Sequence, residues 1–497
     1  MTTESTNAAA ASDTAAGGSD AGEVNGTGST GGGKLKRALS YRDLVFYGLA
    51  YTAPVAPLTM AGFVWAVSGG LPVLAYLLGA LCVYFTASSY AVMTNAMPSA
   101  GSVYGFASQT MGPFAGFISG WMILLDYLLV PAFTYALCAV GIETLVPHGD
   151  RATWIVLTVV ATLAVNWFGI SVTSRVSLIS VVLQLLLVAG LAVLFLFALA
   201  DGHGSGALTL APLYQVGKFD GASVLAATSI CVMAYLGFDA VSTLAEEVKD
   251  RDTRVVGRAI MSNLALTSSI FVLTSWVLGN LLIGFPIQDP AAVIYDLLTA
   301  ISGHQSAIWL AWFLTIVVGV PNVLPMQVGV ARVLFAMGRD RTLPAVLAKV
   351  HHRHGNPHVA MLVSTAVSLS IALLMRDRIS DLAIFISVGA LSGFVFVHLS
   401  VLVQFGRQPG RRWWSQVLVP LCGIAAVLTI LCNLSATALT VGGCWLLAGL
   451  AYWPLSRRSQ RAAAASAFKT GRESGNSRGA IPPTHNKQKE TTWHTLP

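Results

Sequence analysis

The stretch A-Y-L-G-F-D-A, from Ala234 to Ala240, decides the fold and function predicted for this chain. It places the carboxylate of Asp239 inside an otherwise apolar segment that runs from about residue 221 to residue 244. A charged side chain at the centre of a bilayer costs about 2.5 to 3.5 kcal/mol, so such residues are usually retained for a function. Gly237 weakens the helix beside this carboxylate, where unpaired backbone groups can bind a ligand. The stretch therefore predicts a transporter with its binding site at a broken helix.

The composition indicates an integral membrane protein. Hydrophobic residues make up 55% of the 497 positions and charged residues only 10%, whereas soluble domains are about 25% charged. We predict an all-α membrane protein with 12 transmembrane helices, because that many apolar runs approach the roughly 20 residues that a spanning helix needs. The runs lie at about 43–69, 73–96, 114–141, 153–169, 176–200, 221–245, 258–284, 305–335, 359–375, 382–405, 414–433 and 436–455.

The distribution of basic residues predicts the topology. The net charge is +7, with 29 Lys and Arg against 22 Asp and Glu. If residues 1–42 are cytoplasmic and the spans alternate, only Arg151, Lys218, Arg376 and Arg378 lie outside. This asymmetry follows the positive-inside rule, so we expect a multi-pass protein of the plasma or inner membrane with both termini in the cytoplasm. The basic charge is then explained by the lipid bilayer, and no nucleic-acid partner is expected.

We expect no cofactor and no metal site. The six Cys fall within the predicted spans and lack ligand spacing. Four His between His351 and His358 lie in a predicted loop without Cys or acidic partners, which favours a solvated loop over a metal site. Residues 1–40 and 457–497 are polar and are predicted to be disordered cytoplasmic tails.

Two predicted spans interrupt their own helices at matching places. The first span contains A-Y-T-A-P-V-A-P, from Ala50 to Pro57, whose prolines remove backbone donors. The sixth span contains Gly237-Phe238-Asp239. Breaks at the start of two five-span halves are typical of inverted-repeat transporters. We therefore predict a first repeat at 41–205, a second repeat at 206–408 and two extra helices at 409–456.

Several motifs resemble those of the amino acid, polyamine and organocation permeases. The string A-Y-L-G-F-D-A-V-S-T-L-A-E-E-V-K-D, from Ala234, is similar to the sixth-helix signature of that superfamily. M-P-S-A-G-S-V-Y from Met97, G-W-M-I-L-L-D-Y from Gly120 and R-V-L-F-A-M-G-R-D-R-T-L-P from Arg332 resemble its other motifs. The resemblance covers about residues 40–455 and implies the leucine-transporter-like fold. T-A-S-S-Y before the second motif and L-L-D-Y-L-L-V-P after it look most like the putrescine importer group.

Two carboxyl groups are the first candidates for the binding site. Asp239 matches an acidic position that relatives use for an amine substrate or for proton coupling. The alternative, which can coexist with this role, is a carboxylate that caps the second half-helix. Asp126, in the third span, could face the same cavity, and two acids at opposite ends of a pocket would suit a diamine such as putrescine. The alternative for Asp126 is an internal ion pair with Arg175 or Arg332.

The first span favours an amine without a carboxylate. Permeases for α-amino acids commonly hold the carboxylate on free backbone N–H groups, which Pro54 and Pro57 do not supply. The hydroxyls of Tyr51 and Thr52 keep amino acids as an alternative, and the prolines could also simply kink the helix. The predicted substrate-binding residues are Tyr51, Thr52, Ala53, Asp126, Tyr235, Gly237, Phe238, Asp239 and Asn322.

Three of these side chains also have structural interpretations. Tyr235 and Phe238 could cover an ammonium by cation–π contact or could simply pack in an apolar span. Asn322 could contact a ligand, or its amide could satisfy the carbonyls that the neighbouring prolines free.

Gln184, Asp239 and Tyr104 are the candidates for coupling and gating. Gln184 matches a position where some proton-coupled relatives carry a Lys that stands in for sodium. A neutral amide cannot titrate, so Asp239 or Asp126 would have to carry the proton, and Gln184 could instead bond between helices. V-P-N-V-L-P, from Val320, replaces the small hydroxylated residues of a sodium site. Tyr104 could join an inner gate with the charged loop that follows the sixth span.

The sequence thus predicts a secondary active transporter, not an enzyme, that imports a small organic cation by proton-coupled alternating access. Putrescine or another polyamine is the favoured substrate. A cationic or neutral amino acid permease or exchanger is the alternative. A transporter-like receptor would need an output domain, for which the short tails give no sign. The oligomeric state stays open.

Overall fold

The computed structural model describes residues 39–476, apart from 147–148, 169, 218, 250–253, 291, 352–354, 407 and 435. Within these residues the chain is built of helices, and its one β-type contact is an isolated bridge between Leu39 and Val248. The all-α prediction is therefore confirmed. The predicted tails at 1–40 and 457–497 lie largely outside the described residues.

Sixteen α-helices are described, with short 3₁₀ and π segments between some of them. They are α1 Tyr41–Thr52, α2 Ala56–Val67, α3 Pro72–Ala96, α4 Val103–Met111, α5 Pro113–Leu145, α6 Arg151–Trp167, α7 Ile170–Ala200, α8 Gly221–Tyr235, α9 Arg254–Leu282, α10 Val293–Ser302, α11 His304–Trp312, α12 Val320–Arg339, α13 His358–Leu374, α14 Ile379–Phe405, α15 Val419–Cys432 and α16 Ala436–Asn476.

All twelve predicted apolar runs are helical, although they differ in length. Among the described residues, 9 helices are long and apolar enough to cross a membrane, and the bent pair α1–α2 makes up to 10. The other two runs correspond to α6 and α13, which have 17 residues each. That length is at the lower limit of about 17 residues for a spanning helix.

The first predicted break separates α1 from α2, which meet at 41°. Ala53 lies between them with a φ of 51°, a backbone conformation that L-residues rarely adopt. Pro57 follows in the first turn of α2, where its missing N–H costs no helical hydrogen bond. The two prolines therefore end one half-helix and start the next.

The second break follows α8 at Gly237, whose φ is 121°. Its missing side chain lets the Tyr51 ring of α1 pack directly against the backbone. The two breaks thus lie against each other, as expected for a transporter with two interrupted helices. The symmetry between the two five-helix halves stays a prediction.

A 3₁₀ segment, Asp239–Glu247, continues the chain beyond the second break. Its 9 residues exceed the usual limit of about 3–4 for this helix type, and long 3₁₀ runs often mark a hinge. Most of its side chains are buried, so packing rather than intrinsic propensity holds this conformation.

The final helix is longer than the sequence predicts, since α16 continues to Asn476 through part of the range expected to be a disordered tail. The run A-A-A-A-S-A-F, from Ala462, consists mostly of the residue with the highest helix propensity, which accounts for the difference.

We predict that Gly237→Ala lowers the free energy of unfolding by at least about 2 kcal/mol, because a Cβ there is strained and meets the Tyr51 ring. Thermal unfolding of the purified protein in detergent measures the loss. Gly190→Ala is the matched control, because a Cβ on that residue of α7 meets no atom within 4 Å. Equal stability of the two variants would contradict the packing described for the second break.

Candidate functional site

Asp239 is buried at the start of the 3₁₀ segment, with only 1% of its surface exposed. Its Oδ2 accepts a hydrogen bond from the Tyr127 hydroxyl at 2.7 Å, and its Oδ1 accepts one from the Gly237 N–H at 3.1 Å. The side chain therefore binds backbone at the helix break, while its role in binding a substrate or a proton stays a prediction.

Asp126 lies on α5 and is also buried, with 2% of its surface exposed. Its Oδ1 has no hydrogen-bond partner in the described part of the chain, and the carboxyl lies close enough to Asp239 for their charges to interact. The predicted ion pair with Arg175 or Arg332 is not formed. Arg332 binds Glu247, and Arg175 is exposed.

Three tyrosines from three helices surround the two carboxyls: Tyr51 of α1, Tyr90 of α3 and Tyr127 of α5. Both Tyr51 and Tyr90 interact electrostatically with Asp126 and Asp239. We call these five residues the two-carboxyl cluster. They lie on α1 before the first break, on α3 and α5, and at the start of the 3₁₀ segment after the second break.

The hydroxyls of Tyr51 and Tyr90 are buried and have no hydrogen-bond partner among the described residues. Ser102 lies beside Tyr90 without making a hydrogen bond of good geometry, and its own hydroxyl accepts from Ser242 at 2.7 Å. Buried polar atoms are satisfied in more than about 90% of cases. Two hydroxyls and one carboxyl oxygen of this cluster have no hydrogen-bond partner of good geometry among the described residues, which makes the cluster the candidate binding site.

Aromatic rings form one wall of the two-carboxyl cluster. Phe238 packs edge-on against Tyr90, with ring centroids 5.9 Å apart, and against Phe394 at 5.7 Å. Tyr235 lies elsewhere, because its hydroxyl donates to the Tyr76 carbonyl at 3.2 Å and its ring packs on Phe271. Phe238 thus borders the site, while Tyr235 packs against α3 and α9.

The remaining candidate residues, Thr52, Ala53 and Asn322, lie at or near the first helix break. The Thr52 hydroxyl donates to the Gly48 carbonyl at 3.1 Å, within α1. Ala53 forms the break itself. The amide of Asn322 faces the carbonyls of Ala50 and Tyr51, so its nitrogen is assigned to that side. Asn322 therefore faces carbonyls near the end of α1 rather than carbonyls freed by its neighbouring prolines, and its contact with a ligand stays a prediction.

Gln184 lies on α7, fully buried. Its amide nitrogen donates to the Ser180 hydroxyl at 3.0 Å, and its Oε1 has no partner among the described residues. No hydrogen bond joins it to the two-carboxyl cluster in the described part of the chain. Its predicted coupling role stays a prediction.

Tyr104 belongs to a second polar group at the other end of the 3₁₀ segment. Its hydroxyl donates to Asp340 Oδ2 at 2.8 Å. Burial, together with the Asp340 carboxylate, raises the pKa of this hydroxyl, so it remains a donor. Glu246 accepts two hydrogen bonds from Arg339, at 3.0 and 3.1 Å.

A buried ion pair between Glu247 and Arg332 completes this group, which we call the gate cluster: Tyr104, Glu246, Glu247, Arg332, Arg339 and Asp340. It ties the end of the 3₁₀ segment to α12. Tyr104 lies among these contacts rather than in the two-carboxyl cluster, and the gating role of the group stays a prediction.

Sequence reasoning missed Tyr90 and Tyr127. Both lie in apolar spans, where a tyrosine ring is usually explained by packing. The only available signal was that Tyr127 follows Asp126 directly in the chain.

The comparisons with known proteins agree with this architecture. A sequence model of the amino acid permease family matches residues 44–444. The chain is 29% identical over 438 residues to the low-affinity putrescine importer PlaP of Escherichia coli, covering 86% of this chain and 95% of that protein. It is 28% identical over 456 residues to the branched-chain amino acid permease BcaP of Bacillus subtilis, covering 86% and 94%. The methylthioribose transporter of Bacillus subtilis is 24% identical over 457 residues, covering 85% and 94%. The superfamily resemblance of the motifs is thereby confirmed.

We predict that Arg332→Met and Glu247→Leu each lower the free energy of unfolding by about 3–5 kcal/mol, because each leaves one buried charge without its partner. The double variant removes both charges and should be more stable than either single variant. Thermal unfolding in detergent measures all three. Asp377→Asn is the control, because its ion pair with Arg151 is exposed and should contribute less than about 1 kcal/mol. Strictly additive losses in the double variant would contradict a buried ion pair.

Proposed function

Because this chain belongs to the amino acid permease family, we propose that it is a secondary transporter that imports a small organic cation, with putrescine or another polyamine as the favoured substrate. Its relatives include an importer of putrescine and permeases of amino acids, so the substrate has to be argued from the site itself. We propose that the protein acts in the plasma or inner membrane with both termini in the cytoplasm, following its charge distribution.

The two-carboxyl cluster is the observation that carries the proposed substrate class. Asp126 and Asp239 provide two buried carboxyl groups that can each pair with a positive charge, and the hydroxyl oxygens of Tyr51 and Tyr90 can accept hydrogen bonds from an ammonium. No described Arg or Lys lies among these groups to hold a substrate carboxylate, because Arg332 binds Glu247. An amine is the ligand that such a site neutralises most completely.

We propose that the 3₁₀ segment links substrate binding to gating. Asp239 begins this segment, and Glu246 and Glu247 end it. An ammonium that binds Asp239 changes the contacts at one end of a buried, rigidly packed element, whose other end is tied to α12 by the gate cluster. Interrupted helices that move around a central site are the usual basis of alternating access.

We propose the proton as coupling ion, so that transport is driven by the proton-motive force. Gln184 cannot carry a proton, and Pro321 and Pro325 stand where a sodium site of this fold has small hydroxylated residues. A carboxyl of the two-carboxyl cluster is then the group that titrates.

An amino acid permease is the second candidate. The unpartnered hydroxyls of Tyr51 and Tyr90 can also donate hydrogen bonds, and two such donors could hold a substrate carboxylate while Asp239 holds the ammonium. The chain is 28% identical to the branched-chain amino acid permease and 29% identical to the putrescine importer, so sequence similarity supports the two candidates nearly equally.

We predict that proteoliposomes with an acidic exterior and an inside-negative potential accumulate radiolabelled putrescine, and that Asp239→Asn reduces uptake at least about tenfold, because a charge-assisted hydrogen bond is lost. Excess unlabelled arginine or leucine should leave uptake unchanged. Asp201→Asn, at an exposed turn after α7, is the matched control and should transport normally. Accumulation of leucine or arginine without putrescine uptake would favour the amino acid permease.

We predict that Tyr127→Phe raises the KM for putrescine about tenfold and changes the maximal rate less, because Asp239 loses one hydrogen-bond donor of about 1.5 kcal/mol. Initial uptake rates over a range of putrescine concentrations separate the two effects. Phe has the same ring, so folding should be preserved. An unchanged KM would show that the hydroxyl does not position Asp239 for binding.

A further inference from the structure

The two carboxyls of the cluster differ in how the protein supports their charge. Asp239 accepts hydrogen bonds from the Tyr127 hydroxyl and the Gly237 N–H. Asp126 Oδ1 accepts none in the described part of the chain. Donors stabilise an ionised carboxylate, whereas an ionised, unpaired carboxylate in a buried site is unfavourable. Asp126 is therefore the carboxyl that needs a positive charge from outside the protein.

The titratable groups that face Asp126 do not supply that charge. They are Asp239 from the 3₁₀ segment, Tyr51 from α1 and Tyr90 from α3, and Tyr127 follows on its own helix. All of these are acids or neutral hydroxyls. No described basic side chain is among them.

The helices packed on α5 add no positive charge at this point. α14 meets Asp126 at Gly389, which has no side chain: a Cβ there would lie 3.1 Å from Asp126 Cβ. Several described basic groups of the neighbouring helices contact other residues: His398 of α14 contacts Thr86 and Ser89, Arg332 and Arg339 of α12 bind Glu247 and Glu246, Arg151 of α6 binds Asp377, His358 of α13 packs on Trp167, and Arg457 of α16 lies over Trp453.

We propose, on the basis of the proposed function, that the two-carboxyl cluster carries two positive charges in each transport cycle. A monoamine then travels with one proton bound to Asp126, and a diamine travels with none, because its second ammonium takes the place of the proton. The loaded cluster closes as a neutral combination, since a net charge in a buried site is costly, and the empty cluster returns without a cation, so that both charges are left inside.

The two components of the proton-motive force, the membrane potential and the pH gradient, then act differently on diamines and monoamines. A dication needs no proton, so for putrescine the coupling proposed above is restricted to the membrane-potential component of the proton-motive force, and the proton itself accompanies monoamines only. A monocation brings one proton and is driven by the potential and by the pH gradient together. In both cases two charges enter for each substrate molecule, and the proton that Asp126 takes up outside is released inside.

The test compares putrescine with 4-aminobutan-1-ol, which has the same chain length and a neutral hydroxyl in place of one amine. Proteoliposomes contain a pH-sensitive dye, and valinomycin with potassium sets the membrane potential. We expect uptake of the aminoalcohol to acidify the interior by one proton for each molecule, and uptake of putrescine to leave it unchanged. The potential at which net flux reverses should give two charges for both substrates.

Asp126→Asn provides a second readout. The variant should still take up the aminoalcohol, now with one charge and no proton, and should lose at least about tenfold in apparent affinity for putrescine. Asp201→Asn, with its exposed side chain, is the control and should keep the wild-type stoichiometries. The wild-type measurement stands by itself if the Asp126 variant does not fold.

The outcomes distinguish the two proposals. Transport of both amines with a proton accompanying putrescine, or with none accompanying the aminoalcohol, overturns the two-charge rule and leaves the cation transporter intact. A proton count for the aminoalcohol that is the same in the wild type and in Asp126→Asn overturns it as well. Failure to transport either amine overturns the proposed function and this inference with it.

Discussion

The carboxylate of Asp239 at a broken helix is the constraint on which the rest of the structure depends. A carboxyl group buried in a membrane protein needs hydrogen-bond partners, and the break at Gly237 provides a free N–H while Tyr127 provides a hydroxyl. The same break requires a glycine with positive φ, so that the Tyr51 ring can pack on the backbone. The irregular backbone therefore supplies a hydrogen-bond donor to the same buried carboxyl group that lies beside it.

The 3₁₀ segment connects the two-carboxyl cluster at one end to the gate cluster at the other. Its first residue belongs to the two-carboxyl cluster, and its last two residues, Glu246 and Glu247, bind Arg339 and Arg332 of α12. A helix of this type is less stable than an α-helix of the same length, so tertiary contacts determine its conformation. An element of this kind can take a second conformation when the contacts at one end change, which alternating access requires.

Much of the fold followed from the sequence, because composition and breaking residues are local signals. The apolar runs, the break at Pro54 and Pro57 and the isolated Asp239 could all be recognised in single segments. Tyr90 and Tyr127 could not, since their importance arises only when distant helices bring them to the same carboxyls. Position alone predicts Tyr235 near the substrate, but its ring packs on Phe271. Position also predicts Tyr104 near the charged segment after the second break, and there its hydroxyl donates to Asp340 in the gate cluster.

The most direct test of the central claim is a structure of the protein determined by electron cryo-microscopy in lipid nanodiscs with putrescine. The account predicts density for the diamine in the two-carboxyl cluster, with one nitrogen within hydrogen-bond distance of Asp239 and the other within that distance of Asp126. Density for the diamine at another place, with both carboxyls left without a substrate contact, would contradict it.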